Sequence, residues 1–556
     1  MTTIVIGRRA LLAGLAGGIV ATAETAACRP IPPGEKADIL DLADFGVSPS
    51  ASPQTNLAGL KAALAKAPAG ATVRLRPTAP LVCRVDTSGG WSRAATITRP
   101  ITLRIDGDLQ STHGGIRHDP PFMLNVTAHG VTITGTGRIL GNGVIDDTNA
   151  GTDETMPGLV RVAADDFTLT GVEIVAPPKV GVMLYQCRRA RIVDARFSGG
   201  PRVYGDTGYF AIRAAGGGGH VFRGNHFYPA ADGGMYVQCI MLSSSHDNLF
   251  VDNHAKHPYE KLIYGFGDRN MARGNVVVGN PGDVPGTNIQ GTITAVFRFH
   301  GSFNTVRDNR TRDCAGGVQM MDGYGHMVID NQFLSCGQSA ITAYQGDLSG
   351  STFRGNVGTR GALSGFRVGD GMRLVASAAA TGIVVEDNQI AGFSVADPIA
   401  AIALWRSRTA FGRNSLVKPG GAGNGRFYAA QHDGISGVRE PRWPATPGES
   451  VVDGTMTWTA LAYEGGQAEI RLEGADADAP VTDSSILRNT VDGGRYGIVT
   501  RFVTRSRIAG NRINATQWAM VEDAGDHNTW KDNEVSGTAD RGIRNVSASS
   551  LALSTR

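Results

Sequence analysis

The sequence predicts an all-β fold, a single-stranded right-handed parallel β-helix, and three observations carry that prediction. An apolar residue, two variable residues and Asn recur along the chain, as in "HDNLFVDNHA", "GSFNTVRDN", "GHMVIDNQF" and "SRIAGNRI". Several of these asparagines are 22 residues apart: Asn253 and Asn275, Asn309 and Asn331, Asn489 and Asn511, Asn511 and Asn533. Between them lie short alternating apolar runs broken by Gly, Asn and Asp, with no amphipathic helix, which is strand–turn–strand. A repeat of this length means a solenoid, with about 4.8 Å between stacked coils. Parallel crossovers are right-handed almost without exception. The Asn has two expected uses. It tolerates the left-handed backbone of a sharp turn, and its amide can bond the next amide in a stack.

The elements follow in chain order. Residues 1–28 read as an export signal: Arg8 and Arg9 precede an Ala, Leu and Gly-rich stretch too short for a membrane span. The paired arginines are similar to a twin-arginine signal, and "TAAC" ending at Cys28 weakly resembles a lipoprotein cleavage site. The protein is expected outside the cytoplasm, periplasmic or extracellular. Residues 38–75 hold the one clear helix, with Leu57, Leu60 and Leu64 on one face and Asn56 as a plausible cap; it suits the open end of the solenoid. The β-helix then runs to residue 545, with an Asn ladder expected from about residue 130. Residues 417–481, Gly-flanked and containing "EPRWPATPGESVVDGTMTWTALAY", read as an inserted β-hairpin module, and 546–556 as a tail.

Hydrophobic residues make up 41% and charged ones 19%, enough for a large core. A net charge of +3 without a dense basic run argues against nucleic acid as partner. Six cysteines are too few for a disulfide scaffold in a chain of 556 residues. Cys314 and Cys336 fall at equivalent places in successive repeats, where a buried thiol pair and a disulfide are equally open. No Cys/His spacing supports zinc and no cofactor is expected. Oligomeric state is not legible.

The stretch "DFGVSPSASPQTNLAGLKAALAKAPAGATVRL" together with the coils resembles the start of the pectate-lyase-like superfamily of right-handed β-helices, many of them polysaccharide-active. That likeness covers nearly the whole mature chain and implies fold rather than chemistry. "FRFHGSFNTVRDN" resembles a coil of the alginate lyase and chondroitinase B family, which implies a catalytic role for Arg298. The preceding coil, "KLIYGFGDRN", carries Gly265 and Phe266 where that family has a Lys. Calcium, for which Asp165 and Asp166 are the candidate pair, is implied only by such family analogy. The "DGTMTWTA" hairpin is similar to modules of phage tail proteins that handle cell-surface glycans.

Chemistry on a β-helix belongs to outward side chains of one sheet. Counting back nine from each Asn aligns Phe266, His300, Asp322 and Asp347, and counting back eleven aligns Tyr264, Arg298, Met320 and Gln345. Alternation in "AVFRFHG" turns Phe297 and Phe299 inward and Arg298 and His300 outward. Arg298, His300, Tyr264, Asp322 and Asp347 are therefore the candidate catalytic residues. Lys261, Tyr236, Gln238, Arg213, Gln345, Tyr344, Trp405 and Arg406 are candidates for binding a sugar chain, since rings stack on sugar faces and Arg pairs with carboxylates. The expected function is an exported lyase cleaving a uronic-acid-containing polysaccharide by β-elimination. The alternatives are a glycoside hydrolase using Asp322 and Asp347, or a non-catalytic glycan-binding solenoid.

Overall fold

The structure is a computed structural model. It describes residues 38–78, 81–87, 94–112, 122–141, 158–199, 210–229, 238–256, 261–279, 295–314, 316–361, 369–393, 403–412, 415–420, 426–446, 448–461, 468–537, 540–544 and 547–555. The export signal with Cys28 lies outside these residues, as does Tyr236. Among the described residues no helix is long and apolar enough to cross a membrane.

A typical coil contributes three short strands, and these pair in parallel with their counterparts one coil before and one coil after. One coil shows the pattern. Met271–Arg273 pairs with Thr305–Arg307 in the first sheet, Val276–Val278 with Arg310–Arg312 in the second, and Phe297–His300 with Val318–Met321 in the third. Apolar residues at alternate positions point inward and merge into one continuous core running from Leu42 to Val535. Phenylalanines stack along that axis, as Phe197 on Phe227 and Phe222 on Phe250 at ring separations of 5.1 and 5.0 Å. The N-terminal end is covered by a helix, Pro53–Lys66, whose Leu57, Leu60 and Leu64 join this core. Its cap is Ser52, whose hydroxyl accepts from the Thr55 N–H, with Pro53 in the first turn. Asn56 is instead fully buried within the helix, accepting from Ser48 N–H and donating to the Arg84 carbonyl.

The Asn ladder forms at the turn from the first sheet to the second. It begins at Asn225 and passes through Asn253, Asn275, Asn309, Asn331, Asn356, Asn388, Asn489 and Asn511 to Asn533. At each step Oδ1 of one Asn accepts both the backbone N–H and an amide N–H of the Asn before it, as Asn331 does from Asn309 at 3.0 and 2.9 Å. The remaining amide N–H donates to a carbonyl, for Asn331 that of Val306. The left-handed residue is not the Asn itself but the one before it: Asp252, Asp308, Asp330 and Asp387 at φ 52 to 56°, and Gly274, Gly355 and Gly510 at 65 to 67°. The two expected uses of Asn are thus divided between neighbours. Asp or Gly, and Arg488 before Asn489, bends the chain, and Asn keeps an ordinary backbone and gives its amide to the stack.

A second ladder, not anticipated, runs five residues earlier at the turn leaving the third sheet. His220, Asn248, Asn270 and Asn304 link N–H to side chain in succession, and Ser484, Ser506 and Asn528 do the same further on. The signal was present as a polar residue five places before most ladder asparagines.

Two boundaries differ from expectation. The inserted module has its own antiparallel sheet, built from Leu416–Val417, Phe427–Ala430, Ser450–Asp453 and Met456–Leu461, and its described residues span 403–461. Ala468–Glu473, inside the expected insertion range of 417–481, and Val481–Thr482, at its end, are coil strands paired with Met372–Val375 and Ala380–Thr381. Leu551–Thr555, expected as tail, pairs with the strand Thr529–Gly537 and completes a last coil. Cys314 and Cys336 are both free and buried, and burial pushes the Cys314 thiol up to about 12.

Candidate active site on the third sheet

The third sheet presents one outward column in which Met241, Tyr264, Arg298, Gln319, Thr342, Arg373 and Arg471 occupy successive rungs. A neighbouring column runs Phe266, His300, Met321, Tyr344. Tyr264 and Phe266 thus precede Arg298 and His300 as the repeat count required. Beyond His300 the count slips by one. Asp322 does not stand beside His300 in the sheet; Met321 does, and Met320 points into the core in full burial. Gln345 likewise leaves the sheet for an exposed left-handed turn at φ 68°, and Tyr344 and Thr342 take the strand positions. The cause is local. Three residues separate His300 from Asn304, but four separate Met321 from the equivalent His326, and the extra one is Asp322 at φ 63°.

That bulge brings Asp322 back to its expected partner. Its Oδ2 is 2.7 Å from His300 Nδ1. A carboxylate there makes Nδ1 the protonated nitrogen, so Nδ1–H donates to Asp322 and Nε2 carries the lone pair. Nε2 is buried and has no hydrogen-bond partner among the described residues. The imidazole packs on Phe266, with ring centroids 4.2 Å apart and nearly parallel, and its side chain is only 13% exposed. Burial is the largest influence and holds the His300 pKa below the ordinary value; the Asp322 bond opposes it and the Arg298 charge adds to it. Asp322 raises this pKa, but desolvation outweighs the carboxylate. Burial thus favours the neutral imidazole of His300, and the Asp322 bond sets its tautomer.

Around it the column supplies charge and hydroxyls. Arg298 lies over the Tyr264 ring at 4.9 Å, and Lys261 Nζ at 5.3 Å from the same ring. Arg298 Nε is buried without a hydrogen-bond partner among the described residues. The Tyr264 and His300 rings are 5.8 Å apart. Gln319, fully buried, donates to the Tyr344 hydroxyl at 2.8 Å, and burial raises the Tyr344 pKa. Gln319 was missed because the slipped count put Met320 in its place.

The other candidates divide. Gln238 and Lys261 are register partners at the mouth of this sheet, and Arg213 lies three rungs before Arg298, its guanidinium over Phe210 at 5.1 Å. Asp347 accepts from the Ser349 N–H within its own turn. Trp405 and Arg406 are not on the sheet at all. Trp405 packs against the core of the inserted module and donates to Asp453, and the Arg406 carbonyl accepts from Ser436 in the same module. Asp165 and Asp166 are taken up by Arg189 and the Arg188 N–H, which leaves no open carboxylate pair for calcium. Among the described residues no group of three or more His, Cys, Asp or Glu is placed to hold a metal.

Three parallel sheets, three strands per coil and a buried Asn stack decide the architecture. The fold is a right-handed parallel β-helix. No protein-family model matches the chain, and no curated protein matches it. Among solved structures the chain is similar to PfbA, a surface adhesin of Streptococcus pneumoniae, at 10% identity and a TM-score of 0.41, covering 88% of this chain and 93% of that one. It is similar to the A-module of the Azotobacter vinelandii mannuronan C-5 epimerase AlgE4 at 15% identity and a TM-score of 0.35, covering 93% and 100%. It is also similar to the polygalacturonase of Erwinia carotovora at 11% identity and a TM-score of 0.37, covering 65% and 95%. These are likenesses of fold.

Proposed function

We propose that the protein is a polysaccharide lyase that cleaves a uronic-acid-containing glycan by β-elimination. The observation that carries this reading is the neutral His300, tied at Nδ1 to Asp322 with an unpartnered Nε2, one residue removed from the Arg298 guanidinium. Elimination requires the substrate carboxylate to be neutralised, a base for the C5 proton and an acid for the leaving oxygen. Arg298, held over Tyr264, binds the carboxylate and stabilises the negative charge that develops when C5 loses its proton. His300 Nε2 takes that proton, and Asp322 stabilises the imidazolium that forms. The C5 electron pair becomes the C4–C5 double bond as the C4–O bond breaks. The Tyr264 hydroxyl supplies the proton to the departing oxygen.

A hydrolase would need Asp322 and Asp347 as a working pair. Asp322 is bonded to His300 and Asp347 to the Ser349 N–H, which favours the lyase reading. The test is ultraviolet absorbance of an unsaturated uronate, assayed across acidic and neutral polysaccharides. Product with that absorbance supports the lyase. Reducing ends without it mean hydrolysis, and binding without any product means a glycan-binding solenoid.

A further inference from the structure

The third sheet continues well past His300. From the strand Phe297–His300 the rungs are Val318–Met321, Ile341–Tyr344, Met372–Val375, Ala468–Glu473 and Thr490–Arg501. Five spacings of about 4.8 Å put the last one roughly 24 Å along the axis. There the outward column changes character, from Arg298, Gln319, Thr342, Arg373 and Arg471 to Val499 and Val521. Tyr496 and Trp518, paired with each other on adjacent rungs, pack over these valines while remaining half-exposed. They stand at the mouth of the sheet, three residues before the outward column, where Lys261 stands relative to Tyr264. Arg495 lies over the Tyr496 ring at 5.4 Å and Arg544 over the Trp518 ring at 5.8 Å. Arg495 also bonds the Gln517 side chain on the next rung.

We propose that Tyr496 and Trp518 form a second glycan-binding site, an anchor for the same acidic polymer that enters the His300 site; this rests on the lyase reading above. Two half-exposed rings one rung apart offer apolar faces at the spacing of stacked coils, on which consecutive sugar rings can stack. The arginines beside them match the carboxylates of a uronate chain. Because both sites lie on one sheet, a chain held at the anchor is presented to His300 at high local concentration, which a short oligosaccharide cannot exploit.

The experiment uses affinity gels containing polygalacturonate or alginate, with dextran as neutral control. It compares H300A with H300A carrying Y496A and W518A, so that retention does not depend on turnover. The expected result is retention of H300A by an acidic polymer and at least tenfold weaker retention when both rings are removed, with no retention by dextran. W518F, which keeps a ring, should hold most of the retention at an unchanged melting temperature. In the active protein the double ring variant should lose about tenfold in kcat/KM on polymer and nothing on a tetrasaccharide. Equal retention with and without the rings overturns the proposal, as does absence of retention of H300A by either polymer or an equal loss on the tetrasaccharide. If retention depends on the rings but no polymer yields unsaturated product, the lyase reading falls and the anchor stands.

Discussion

The turn at the Asn ladder and the turn after His300 belong to the same coils and are built on opposite rules. At the ladder, two residues separate the strands in coil after coil: Asp308 and Asn309, Asp330 and Asn331, Asp387 and Asn388. The register there survives even the inserted module, since Asn388 and Asn489 are 101 residues apart in sequence and bonded at 2.9 Å. After the third sheet the count varies, and the variation puts Asp322 against His300. At the first turn a single bending residue precedes the ladder Asn and the length is fixed, whereas the second ladder takes only the last residue of the longer turn after the third sheet. A turn at the surface can gain a residue, and in a left-handed conformation that residue aims its side chain back along the axis.

The largest expected effect comes from breaking coils where only the module should break. Deleting 417–481 removes Ala468–Glu473 and cuts into Val481–Thr482, interrupting the third sheet between Met372–Val375 and Thr490–Arg501, and should abolish soluble protein. Replacing only 403–461 by a short Gly-Ser linker should leave a folded solenoid, seen as an unchanged far-ultraviolet spectrum. Loss of solubility in both would mean that the module packs against the coils.

At the variable turn, R298A and H300A should each lower turnover about a hundredfold or more with unchanged melting temperature, as expected for charge stabilisation and proton transfer. The active form of His300 is neutral, and burial depresses its pKa. Activity should therefore persist below the ordinary histidine value of about 6.5 before its acid limb falls. D322N removes the influence that raises that pKa, so its acid limb should lie lower still, on a reduced plateau. An acid limb that moves upward in D322N would contradict the assigned contact. At the invariant turn, N331A should leave turnover intact on a per-folded-molecule basis. It leaves the Asn309 backbone N–H without its acceptor and takes from Asn356 Oδ1 and the Val306 carbonyl their side-chain donor, costing on the order of 1–3 kcal/mol in denaturant unfolding.

The same contrast explains what could be read in advance. The β-helix, the outward pair Arg298 and His300, and their partners Tyr264 and Phe266 followed from alternation and a constant repeat. Gln319 and Thr342 did not, and Tyr344 was legible by its residue type but not by its place beside Met321, because the count was anchored at the Asn turn and carried across a turn of changing length. Trp405 and Arg406 were misplaced for a related reason. Residue type marks a sugar-binding face, but only the start of the module, before 417, says which face they are on. The chemistry of His300 needed burial as well as neighbours, and burial is not written in a one-residue pattern.

The mildest test lies on the second ladder, where His220 fills a place that Asn248, Asn270 and Asn304 fill in the next coils. Its Nδ1 accepts from the Ala190 N–H, which only an unprotonated nitrogen can do, and complete burial lowers its pKa to about 4. In the unfolded chain the same group titrates near 6.5, at about the ordinary value. Between those values the unfolded state binds a proton that the folded state refuses. The stability from a neutral His220 is thus fully present above pH of about 6.5 and lost as pH falls toward the folded value. H220N keeps an acceptor at that place and has nothing to protonate. At pH 7.5 its melting temperature should match the parent closely, and on acidification it should decline less steeply, His326 and the remaining titrating groups being common to both. Parallel declines would mean that His220 takes up its proton in the fold as readily as in the unfolded chain, and that its place in the ladder is one of shape alone.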